Sequence, residues 1–553
     1  MKLTGAEIIV ETLIEQGVDT VFGYPGGTVI NMYDALYNAS ERITHIITAH
    51  EQGAAHAADG YARASGKVGV VIATSGPGAT NLVTGIATAF LDSTPLVAIT
   101  GNVACALIGR DSFQEVDIMG VTLPVTKHNY IVKDITRLAE TVREAFAIAK
   151  SGRPGPVLID VPKDVQMAQV EWELMGLVPK MATKPPKAAK LEKAAELIAA
   201  AKRPYIYCGG GVVLGDASSE VLALATKIDA PIGCTMMGLS AVPYDFPGAL
   251  GMQGMHGRYA STKAQDEADL ILAVGARFSD RATGNKELYA AGAKIVHIDI
   301  DPAELDKNIP SYLGVTGDVK IALQSILEMV EECKHPDWMV RIAELRALEA
   351  SYIPVNEEFT PYNIIDRVKA VAPDDAIIAT DVGQHQMWTA QRYDFKYPRC
   401  FITSGGLGTM GFGMGAAIGS AFATGRRAIL FTGDGSFGMN LNELATAVTN
   451  NVPMTIILLN NGVLGMVRQW QTLFFDNRHS QTTLARQTDF VRLAEAFGAK
   501  GYRADNLADF DTALQAAFSH AGPVVLECRI DCNELVLPMT PPGGSIDDII
   551  LEK

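Results

Sequence analysis

Cysteine is scarce in this sequence, and long apolar runs are missing from it. Its 553 residues include seven cysteines, an odd number without CxxC spacing, which predicts reduced thiols in a cytoplasmic protein and neither a disulfide framework nor a zinc site. Apolar runs of the roughly 18 residues that a membrane-spanning helix needs do not occur. The start carries Glu7, Glu11 and Glu15 on a helical pattern, which is not that of a signal peptide. We therefore expect no membrane attachment.

Positive charge is outnumbered by negative charge. There are 46 lysines and arginines against 62 aspartates and glutamates, a formal net charge of −16, and no basic block. Such a chain is expected to repel nucleic acids and anionic membranes. An anionic substrate must therefore be bound by local positive charge. With 48% apolar residues, the chain can bury the cores of about three or four domains.

Helical segments alternate with short apolar strands along the chain. Segments 67–74, 95–100 and 155–162 are apolar on both faces, as expected of parallel strands covered by helices. A second run of strands starts with segment 204–211. The predicted fold class is therefore α/β, with three doubly wound parallel-sheet domains. A Pro- and Lys-rich stretch indicates a linker. The predicted boundaries are 1–175 for the first domain, 176–190 for the linker, 191–345 for the central domain and 355–553 for the last domain.

A Gly-Asp-Gly turn in the last third of the chain is the strongest motif. Gly433, Asp434 and Gly435 follow an apolar strand, and the next strand ends at Asn460 and Asn461. In a doubly wound sheet both strand ends emerge at one edge, so Asp434 and Asn461 can reach one point. A carboxylate and an amide oxygen suit Mg²⁺, and glycines let backbone N–H groups approach phosphates. The alternative is a solvent-facing turn whose aspartate only caps a helix, and the paired asparagine argues against it.

This motif resembles the signature of thiamine diphosphate enzymes. Their pyrimidine-binding, central and diphosphate-binding domains, with FAD in the central domain of some members, match the three predicted domains in order. The resemblance implies that Asp434, Asn461 and the main-chain oxygen of Val463 hold Mg²⁺. The residues that it places against the diphosphate are Gln384, His385, Gly435 and Ser436.

A glutamate near the amino end is the second feature of the resemblance. Glu51 lies where an apolar strand passes into an Ala-rich helix. In the resembling enzymes a glutamate here hydrogen-bonds the pyrimidine ring, whose nitrogen then removes the thiazolium C2 proton. Taken alone, Glu51 also fits an ordinary first-turn glutamate stabilised by the helix dipole. The resemblance further implies that the Gly408 carbonyl and the Met410 side chain contact the cofactor and that loop 74–81 faces the site.

Further segments narrow the resemblance to one family. They include VFGYPGG, SFQEVD, RPGPVLIDVPKDV, GARFSDR, GGLGTMG, NNGVLGMVRQWQ and LPMTPPGG. Together they resemble, over nearly the whole chain, the catalytic subunits of acetohydroxyacid synthases, also called acetolactate synthases. The resemblance implies condensation of two pyruvates to 2-acetolactate and CO₂, or of pyruvate with 2-ketobutyrate to 2-aceto-2-hydroxybutyrate, in branched-chain amino-acid synthesis.

The same resemblance assigns roles outside the two motifs. Arg281 would bind the acceptor carboxylate as a bidentate fork, and Trp470 would offer an apolar shelf that favours the ethyl group of 2-ketobutyrate. A surface arginine and a core tryptophan are the plain alternatives. Gln114 and Lys163 match polar active-site positions. The residues expected around them are Gly27, Phe113, Met255, Met466 and Val382, the last also as a cofactor contact.

Three glycines in the central domain indicate which kind of nucleotide cofactor this domain could bind. Gly209, Gly210 and Gly211 follow an apolar strand but lack GxGxxG spacing and the acidic residue expected after it, which disfavours a nicotinamide dehydrogenase. In the resembling synthases this domain binds FAD, which is structural because no net redox change occurs. The implied flavin contacts are Arg153, Gly209, Gly211, Met255, His256, Gly275, Arg277, Arg281, Asp299 and Asp318.

Two residues depart from the pattern of the resembling family. Ser279 stands in RFSDR where the pattern has aspartate, so one flavin contact is expected to differ. Thr28 follows GYPGG where alanine is more usual, a change expected to bear on substrate entry.

Related activities of the same fold are the alternatives. A flavin- and thiamine-dependent pyruvate oxidase is disfavoured by Arg281, Trp470 and the LPMTPPGG tail, and a glyoxylate carboligase by Glu51. A catalytically silent paralogue is disfavoured because Glu51, Asp434 and Asn461 are all present. The sequence leaves open the acceptor preference, the feedback sensitivity and the choice between dimer and tetramer.

The two motifs lie in different predicted domains, and this bears on assembly. In the resembling enzymes the first domain of one subunit faces the last domain of another. The resemblance therefore implies a homodimer or dimer of dimers with active sites at the subunit interface. It also implies a separate small regulatory subunit that senses valine.

Overall fold

The computed structural model describes residues 1–179, 181, 183–352 and 356–552. Residues 180 and 182 of the predicted linker, and residues 355 and 553 of the predicted last domain, lie outside the described residues. The described chain contains three six-stranded sheets, each wholly parallel. Helices cover the sheets, so the predicted fold class is confirmed.

The first domain has the strand order β3-β2-β4-β5-β7-β6, and β1 pairs antiparallel with β8 beside it. Its elements are β1 Lys2–Thr4, α1 Gly5–Glu15, β2 Thr20–Tyr24, α2 Ile30–Asn38, β3 Thr44–Ile47, α3 Glu51–Ser65, β4 Gly69–Ala73, α4 Pro77–Asn81, α5 Val83–Asp92, β5 Leu96–Asn102, α6 Ile118–Thr122, β6 His128–Ile131, α7 Leu138–Lys150, β7 Pro156–Pro162, α8 Lys163–Met167 and β8 Gln169–Glu171.

The central domain has the strand order β11-β10-β9-β12-β13-β14. Its elements are α9 Ala188–Ala200, β9 Pro204–Cys208, α10 Gly210–Leu214, α11 Ser218–Lys227, β10 Ile232–Cys234, β11 Ala249–Met252, α12 Tyr259–Glu267, β12 Leu270–Val274, α13 Asp280–Thr283, β13 Lys294–Asp299, β14 Leu313–Thr316, α14 Val319–Met329 and α15 Pro336–Tyr352.

The last domain has the strand order β16-β15-β17-β18-β20-β19. Its elements are α16 Pro361–Val371, β15 Ile377–Thr380, α17 Gln384–Arg392, β16 Phe401–Ile402, α18 Phe412–Thr424, β17 Ala428–Gly433, α19 Asp434–Asn440, α20 Glu443–Thr449, β18 Met454–Asn460, α21 Gly465–Phe474, α22 Phe490–Phe497, β19 Lys500–Ala504, α23 Leu507–Ser519 and β20 Val524–Arg529.

Two helices cross the boundaries that the sequence indicated. Helix α9 begins at Ala188, inside the predicted linker, although its buried face starts only at Leu191. Helix α15 runs past residue 345 to Tyr352, with Trp338 and Leu345 buried in the central domain. The domain boundaries therefore stay a prediction.

Helices α3 and α18 join the first and last domains through a seam of small residues. A methyl group on Gly60 would lie 2.1 Å from the Ala416 carbonyl oxygen, and one on Gly419 would lie 1.8 Å from the Ala57 carbonyl oxygen. Ser420 Oγ donates to the Gly60 carbonyl at 3.2 Å. The two backbones are therefore in contact, which only residues without large side chains permit.

A buried charge network joins the same two domains. Arg63 of α3 donates to the Thr403 carbonyl at 2.7 Å and to Asp92 at 3.0 Å, and it also pairs with Asp59. Asp92 in turn accepts the N–H group of Gly406 at 2.6 Å. The Arg63 side chain is 8% exposed and the two aspartate side chains are 0% exposed, so the single cation compensates two carboxylates that water does not reach.

Replacing Arg63 tests how much this network contributes to the stability of the fold. Arg63→Met is expected to lower the free energy of unfolding by about 3–5 kcal/mol, because two buried carboxylates lose their cation. Arg42→Met is the control, since its pair with Glu11 is exposed at the surface and removing it should cost about 1 kcal/mol or less. Urea unfolding followed by circular dichroism measures both. Equal midpoints for the two variants would contradict the expectation.

Candidate active site

The carboxyl ends of β17 and β18 place the Gly-Asp-Gly turn beside the asparagine pair. The strands pair in parallel, with Gly433 opposite Leu459. Burial raises the pKa of Asp434 to about 6, and the backbone N–H groups of residues 434, 435 and 461 oppose this shift, so the carboxylate faces the end of β18. Asn461 Oδ1 accepts the Val463 N–H at 3.2 Å. The three residues expected to hold Mg²⁺ thus share one sheet edge.

Helix α17 contributes the neighbouring side chains. Asn461 Nδ2 donates to Gln384 Oε1 at 3.3 Å, and Gln384 Nε2 donates to Gln469 Oε1 at 3.1 Å. A methyl group on Gly433 would lie 3.0 Å from His385 Nδ1. Burial lowers the pKa of His385 to about 3, and its Nε2 is buried without a hydrogen-bond partner among the described residues. A bound ligand would satisfy this nitrogen.

The Gly-rich segment before α18 faces the same turn. Asp381 Oδ1 accepts the Gly411 N–H at 2.7 Å, and Ser436 Oγ accepts it at 3.4 Å. Gly408 has a φ of 67°, and a methyl group on it would lie 3.9 Å from Val382 Cγ1. These hydrogen bonds hold the Gly-rich segment next to the start of α19, which carries Ser436.

Met410 lies over the glycine of the turn. A methyl group on Gly435 would lie 3.8 Å from Met410 Cε and 2.8 Å from Leu464 Cδ2. The turn therefore has an apolar cover and no room for a side chain at its second glycine. We call this set the C-terminal cluster; its members are Val382, Gln384, His385, Gly408, Met410, Asp434, Gly435, Ser436, Asn461 and Val463.

Glu51 begins helix α3 and is held from two sides. Asn81 Nδ2 donates to Glu51 Oε2 at 3.0 Å, and a methyl group on Gly78 would lie 3.2 Å from Glu51 Oε1. The two backbone N–H groups before Glu51 donate to the carboxylate of Glu443, in the last domain, at 3.2 and 2.9 Å. Its carboxyl group and its main chain are thus both fixed by neighbours.

Glu51 and the C-terminal cluster are not joined by a direct polar contact in the described chain. Among the residues that the structure describes, no hydrogen bond or ion pair joins Glu51 to that cluster. Large apolar side chains beside both parts face solvent, since Phe113 is 87% exposed and Leu407 is 42% exposed.

Gln114 and Lys163 lie on the edge of the first domain. Gln114 has a φ of 59°, and a methyl group on Gly76 would lie 2.9 Å from its carbonyl oxygen. Lys163 is the exposed first residue of α8. Gly27 has open space where a Cβ would stand. Gly27 and Lys163 are exposed, and Gln114 is half-buried.

Arg281 and Trp470 come together from the central and last domains. The guanidinium carbon lies 5.3 Å from the centre of the indole ring, a cation–π geometry. Arg281 Nη1 lies 3.6 Å from Met255 Sδ, and its side chain is 62% exposed. Met466 lies one helical turn before Trp470 on α21. The arginine is therefore oriented by an aromatic face while its charge stays available.

The glycines of the central domain bring two strand-to-helix turns into contact. A methyl group on Gly209 would lie 2.1 Å from the Gly275 carbonyl oxygen, and Gly211 N–H donates to that oxygen at 2.9 Å. Burial lowers the pKa of His256 to about 4, with a contribution from Arg281. His256 Nδ1 is buried without a partner among the described residues. Arg277 is half-buried just after Gly275.

The remaining expected flavin contacts have protein partners. Arg153 Nη1 lies 2.7 Å from Glu304 Oε1. Burial raises the pKa of Asp299 to about 6, and Asp318 Oδ1 caps α14 by accepting the N–H group of residue 320 at 2.9 Å. Ser279, the departure from the RFDDR pattern, stands at the N-cap of α13 without a side-chain capping bond.

Four residues near the site were not singled out from the sequence. Glu443 binds the backbone before Glu51, and Asp381 orders the Gly-rich segment. Gln469 holds Gln384, and Asn81 holds Glu51. Two of them had a signal in the sequence, since Asn81 ends loop 74–81 and Gln469 lies in the segment NNGVLGMVRQWQ. Glu443 sits in an ordinary helical pattern without one.

Comparison with protein families agrees with this arrangement of three domains. The thiamine pyrophosphate enzyme models match in order: the N-terminal TPP binding domain at residues 3–121, the central domain at 191–326 and the C-terminal TPP binding domain at 381–528. The chain belongs to the thiamine pyrophosphate enzymes.

Comparison with individual proteins narrows the family. The chain is 46% identical to the acetolactate synthase isozyme 1 large subunit of Escherichia coli, over 100% of this chain and 98% of that protein. It is 45% identical to the isozyme 2 large subunit of that organism, over 99% of each chain, and 44% identical to an acetolactate synthase of Mycobacterium bovis, over 99% and 91%. Within its class, the chain therefore belongs to the acetolactate synthase large subunits.

No helix in the described part of the chain combines the length and the apolar character that crossing a membrane requires.

Asp160 is a buried carboxyl group three residues before Lys163. It accepts hydrogen bonds from Thr100 Oγ1 at 2.7 Å and from Asn102 Nδ2 at 2.5 Å, and it is 1% exposed. Burial raises the pKa of Asp160 from 3.8 to about 7, although both hydrogen bonds oppose the shift. The folded chain therefore holds a proton that the unfolded chain releases, and stability from this group is lost as the pH rises through about 7.

Asp160→Asn removes this titration. We expect the free energy of unfolding of the variant, relative to the parent chain, to rise by about 1 kcal/mol per pH unit from about pH 5 to about pH 7. In that range unfolding of the parent chain releases the proton that the folded carboxyl group holds, and unfolding of the amide variant releases none. Thermal or urea unfolding at several pH values measures the difference. A difference that stays constant with pH would contradict the raised pKa.

Proposed function

We propose that this chain condenses two pyruvates to 2-acetolactate and CO₂, or pyruvate with 2-ketobutyrate to 2-aceto-2-hydroxybutyrate, in valine, leucine and isoleucine synthesis. The single observation that carries the proposal is the assembly of the C-terminal cluster at the edge of the last sheet, in a chain where Asn81 holds the carboxyl group of Glu51 at the start of α3. Membership of the acetolactate synthase large subunits supports it along the whole chain.

The cofactors proposed for this site are thiamine diphosphate and Mg²⁺. Asp434, Asn461 and the Val463 carbonyl supply hard oxygen ligands, the kind that Mg²⁺ prefers, and phosphate oxygens usually complete such a shell. The raised pKa of Asp434 fits a buried carboxylate whose counter-charge is a bound cation. The unsatisfied Nε2 of His385 fits a contact with a diphosphate oxygen. The residues present therefore suit both groups.

When bound, thiamine diphosphate supplies an acidic carbon that adds to a keto acid and stabilises the electron pair left when CO₂ departs. The task of Glu51 is to share a proton with a ring nitrogen, which needs a carboxyl group held in place, as Asn81 holds it. The apolar cover of Met410 and Leu464 excludes water from the turn.

Arg281 and Trp470 bind the second keto acid in this proposal. The guanidinium forms a bidentate pair with a carboxylate, which offsets the net charge of −16. Its stacking on the indole ring leaves the ring beside the alkyl group of the acceptor, where one more methylene is worth about 1–3 kcal/mol. Gln114 and Lys163 supply polar contacts from the first domain.

A structural FAD is proposed for the central domain. A dinucleotide offers partners to both donors and acceptors. The residues proposed to bind it include the cations of Arg153 and Arg277, the carboxylates of Asp299 and Asp318 and the unsatisfied His256 Nδ1. Arg153 must then share its charge with Glu304, its present partner. Ser279 does not supply the carboxylate that the usual pattern has. The flavin would add no step to the condensation, because the reaction involves no net redox change.

The partners proposed are a second copy of this chain and a small regulatory subunit. The lack of a hydrogen bond or ion pair between Glu51 and the C-terminal cluster among the described residues, and the exposed Phe113 and Leu407, support a homodimer or tetramer with active sites at the subunit interface. The names of the relatives, which are large subunits, support a small subunit. The scattered unpaired cysteines support a cytoplasmic location. We also propose the domain boundaries given by the sequence.

Cofactor-free protein tests the reaction directly. With pyruvate, we expect acetolactate only after thiamine diphosphate and Mg²⁺ are both added, and Glu51→Gln should reduce its formation by about 100-fold or more because the ring proton is no longer shared. Glu11→Gln, at an exposed surface pair, is the matched control. Full activity of Glu51→Gln would refute the assignment. Reduction of added FAD by pyruvate without air would favour a pyruvate oxidase instead.

Co-expression of two inactive variants tests the shared site. Glu51→Gln and Asp434→Asn, carrying different tags and purified as the mixed dimer, should regain acetolactate synthesis at one of the two sites. Each intact site would combine the glutamate of one chain with the aspartate of the other. Each variant purified alone is the control. A mixed dimer as inactive as its parents would show that both residues act within one chain.

A further inference from the structure

We propose that the Thr28 hydroxyl is a positioning group for the active site, acting through the turn of residues 74–78. This inference rests on the proposed function and adds to it a residue that departs from the usual alanine of the family pattern. The turn, called here the 74–78 turn, follows strand β4 and leads into α4. Among the described residues, Thr28 makes its hydrogen bonds with Thr74, Ser75 and Gln166 and none with the C-terminal cluster.

Thr28 binds the turn through its hydroxyl and its main chain. Ser75 N–H donates to Thr28 Oγ1 at 3.0 Å, and the hydroxyls of Thr28 and Thr74 share a hydrogen bond at 3.0 Å. Thr28 N–H reaches Thr74 Oγ1 at 3.4 Å. Thr74 is 7% exposed and Ser75 is 2% exposed. Without the Thr28 hydroxyl, a buried N–H group would lose its acceptor, which destabilises that backbone conformation.

The turn passes this constraint to Glu51. Thr74 packs against Gly78, where a methyl group would lie 2.7 Å from Thr74 Cγ2 and 3.2 Å from Glu51 Oε1. The helix α4 that follows carries Asn81, which donates to Glu51 Oε2 at 3.0 Å. Both oxygens of the Glu51 carboxylate therefore face groups whose position depends on the turn. A small displacement of the turn changes the angle at which Glu51 presents its proton.

The 74–78 turn and Thr28 also contact the segments that carry Gln114 and Lys163. A methyl group on Gly76, whose φ is 60°, would lie 2.9 Å from the Gln114 carbonyl oxygen. Gln166, on the helix α8 that begins with Lys163, donates to the Thr28 carbonyl at 2.8 Å. Thr28 is thus the common neighbour of the segments that carry Glu51, Gln114 and Lys163. Alanine in its place would keep the main-chain contact but not the hydroxyl bridge.

Three substitutions separate the hydroxyl from the bulk of the side chain. Thr28→Val keeps the shape and removes the hydroxyl, Thr28→Ser keeps the hydroxyl, and Thr28→Ala removes both. Thr141→Val is the control, because Thr141 is a buried threonine of the same domain whose hydroxyl bonds only within its own helix. The readouts, on the holoenzyme, are the rate of deuterium exchange at C2 of bound thiamine diphosphate, the Kd for thiamine diphosphate from tryptophan fluorescence, and the unfolding temperature.

Thr28→Val and Thr28→Ala are expected to slow the C2 exchange about tenfold, as the loss of a buried hydrogen-bond acceptor implies. Their Kd for thiamine diphosphate should stay within about twofold of the parent, because the diphosphate site belongs to the last domain. Thr28→Ser should restore the parental rate, and Thr141→Val should leave it unchanged. If Thr28→Val does not fold, Thr28→Ala gives the same comparison.

Two outcomes would overturn the inference. Equal exchange rates in the parent, Thr28→Val and Thr28→Ala would show that the hydroxyl does not position Glu51. A rate in Thr28→Ser as slow as in Thr28→Val would assign the effect to packing of the methyl group. If the parent protein itself exchanged C2 no faster than free thiamine diphosphate, the proposed function would fail, which is a result distinct from both.

Discussion

The close contact between α3 and α18 is the constraint on which the other features depend. Both helices begin at site residues: α3 at Glu51, and α18 directly after the segment that contains Gly408, Met410 and Gly411. Because carbonyl oxygens lie where side chains would be, the helices can neither approach further nor slide without collision. The seam therefore sets the distance between the first and last domains, and the Arg63 network and the Glu443 carboxylate reinforce it at the two ends of α3.

The site in the last domain could be predicted from the sequence because its position follows from the sheet topology. Adjacent parallel strands must end at the same edge, so Asp434 and Asn461 could be placed together from a strand pattern and a glycine pair alone. The three-sheet fold class followed from strands that are apolar on both faces. These inferences need only local patterns and one general rule about sheets.

Contacts between segments far apart in the sequence could not be predicted in this way. Glu443 binds the backbone before Glu51, almost 400 residues away in the chain. The spacing of apolar residues does not predict this contact. The stacking of Arg281 on Trp470 joins the central and last domains. No sequence motif predicts how these two domains lie relative to each other. Helix α15 continues past residue 345, where Glu349 is its buried residue and pairs with Arg258, a contact that no local pattern indicates. Roles of the site residues came from resemblance, and the geometry supports them without testing them.

The glycines of the α3–α18 seam have an evolutionary consequence. Since the atoms that oppose Gly60 and Gly419 belong to the main chain of the facing helix, no change of a partner side chain can make room for a larger residue there. Ordinary core positions tolerate paired exchanges in which one residue grows as its neighbour shrinks. Here such suppressor pairs do not exist, so in divergent copies of this fold the two positions should stay fixed while the surrounding core drifts.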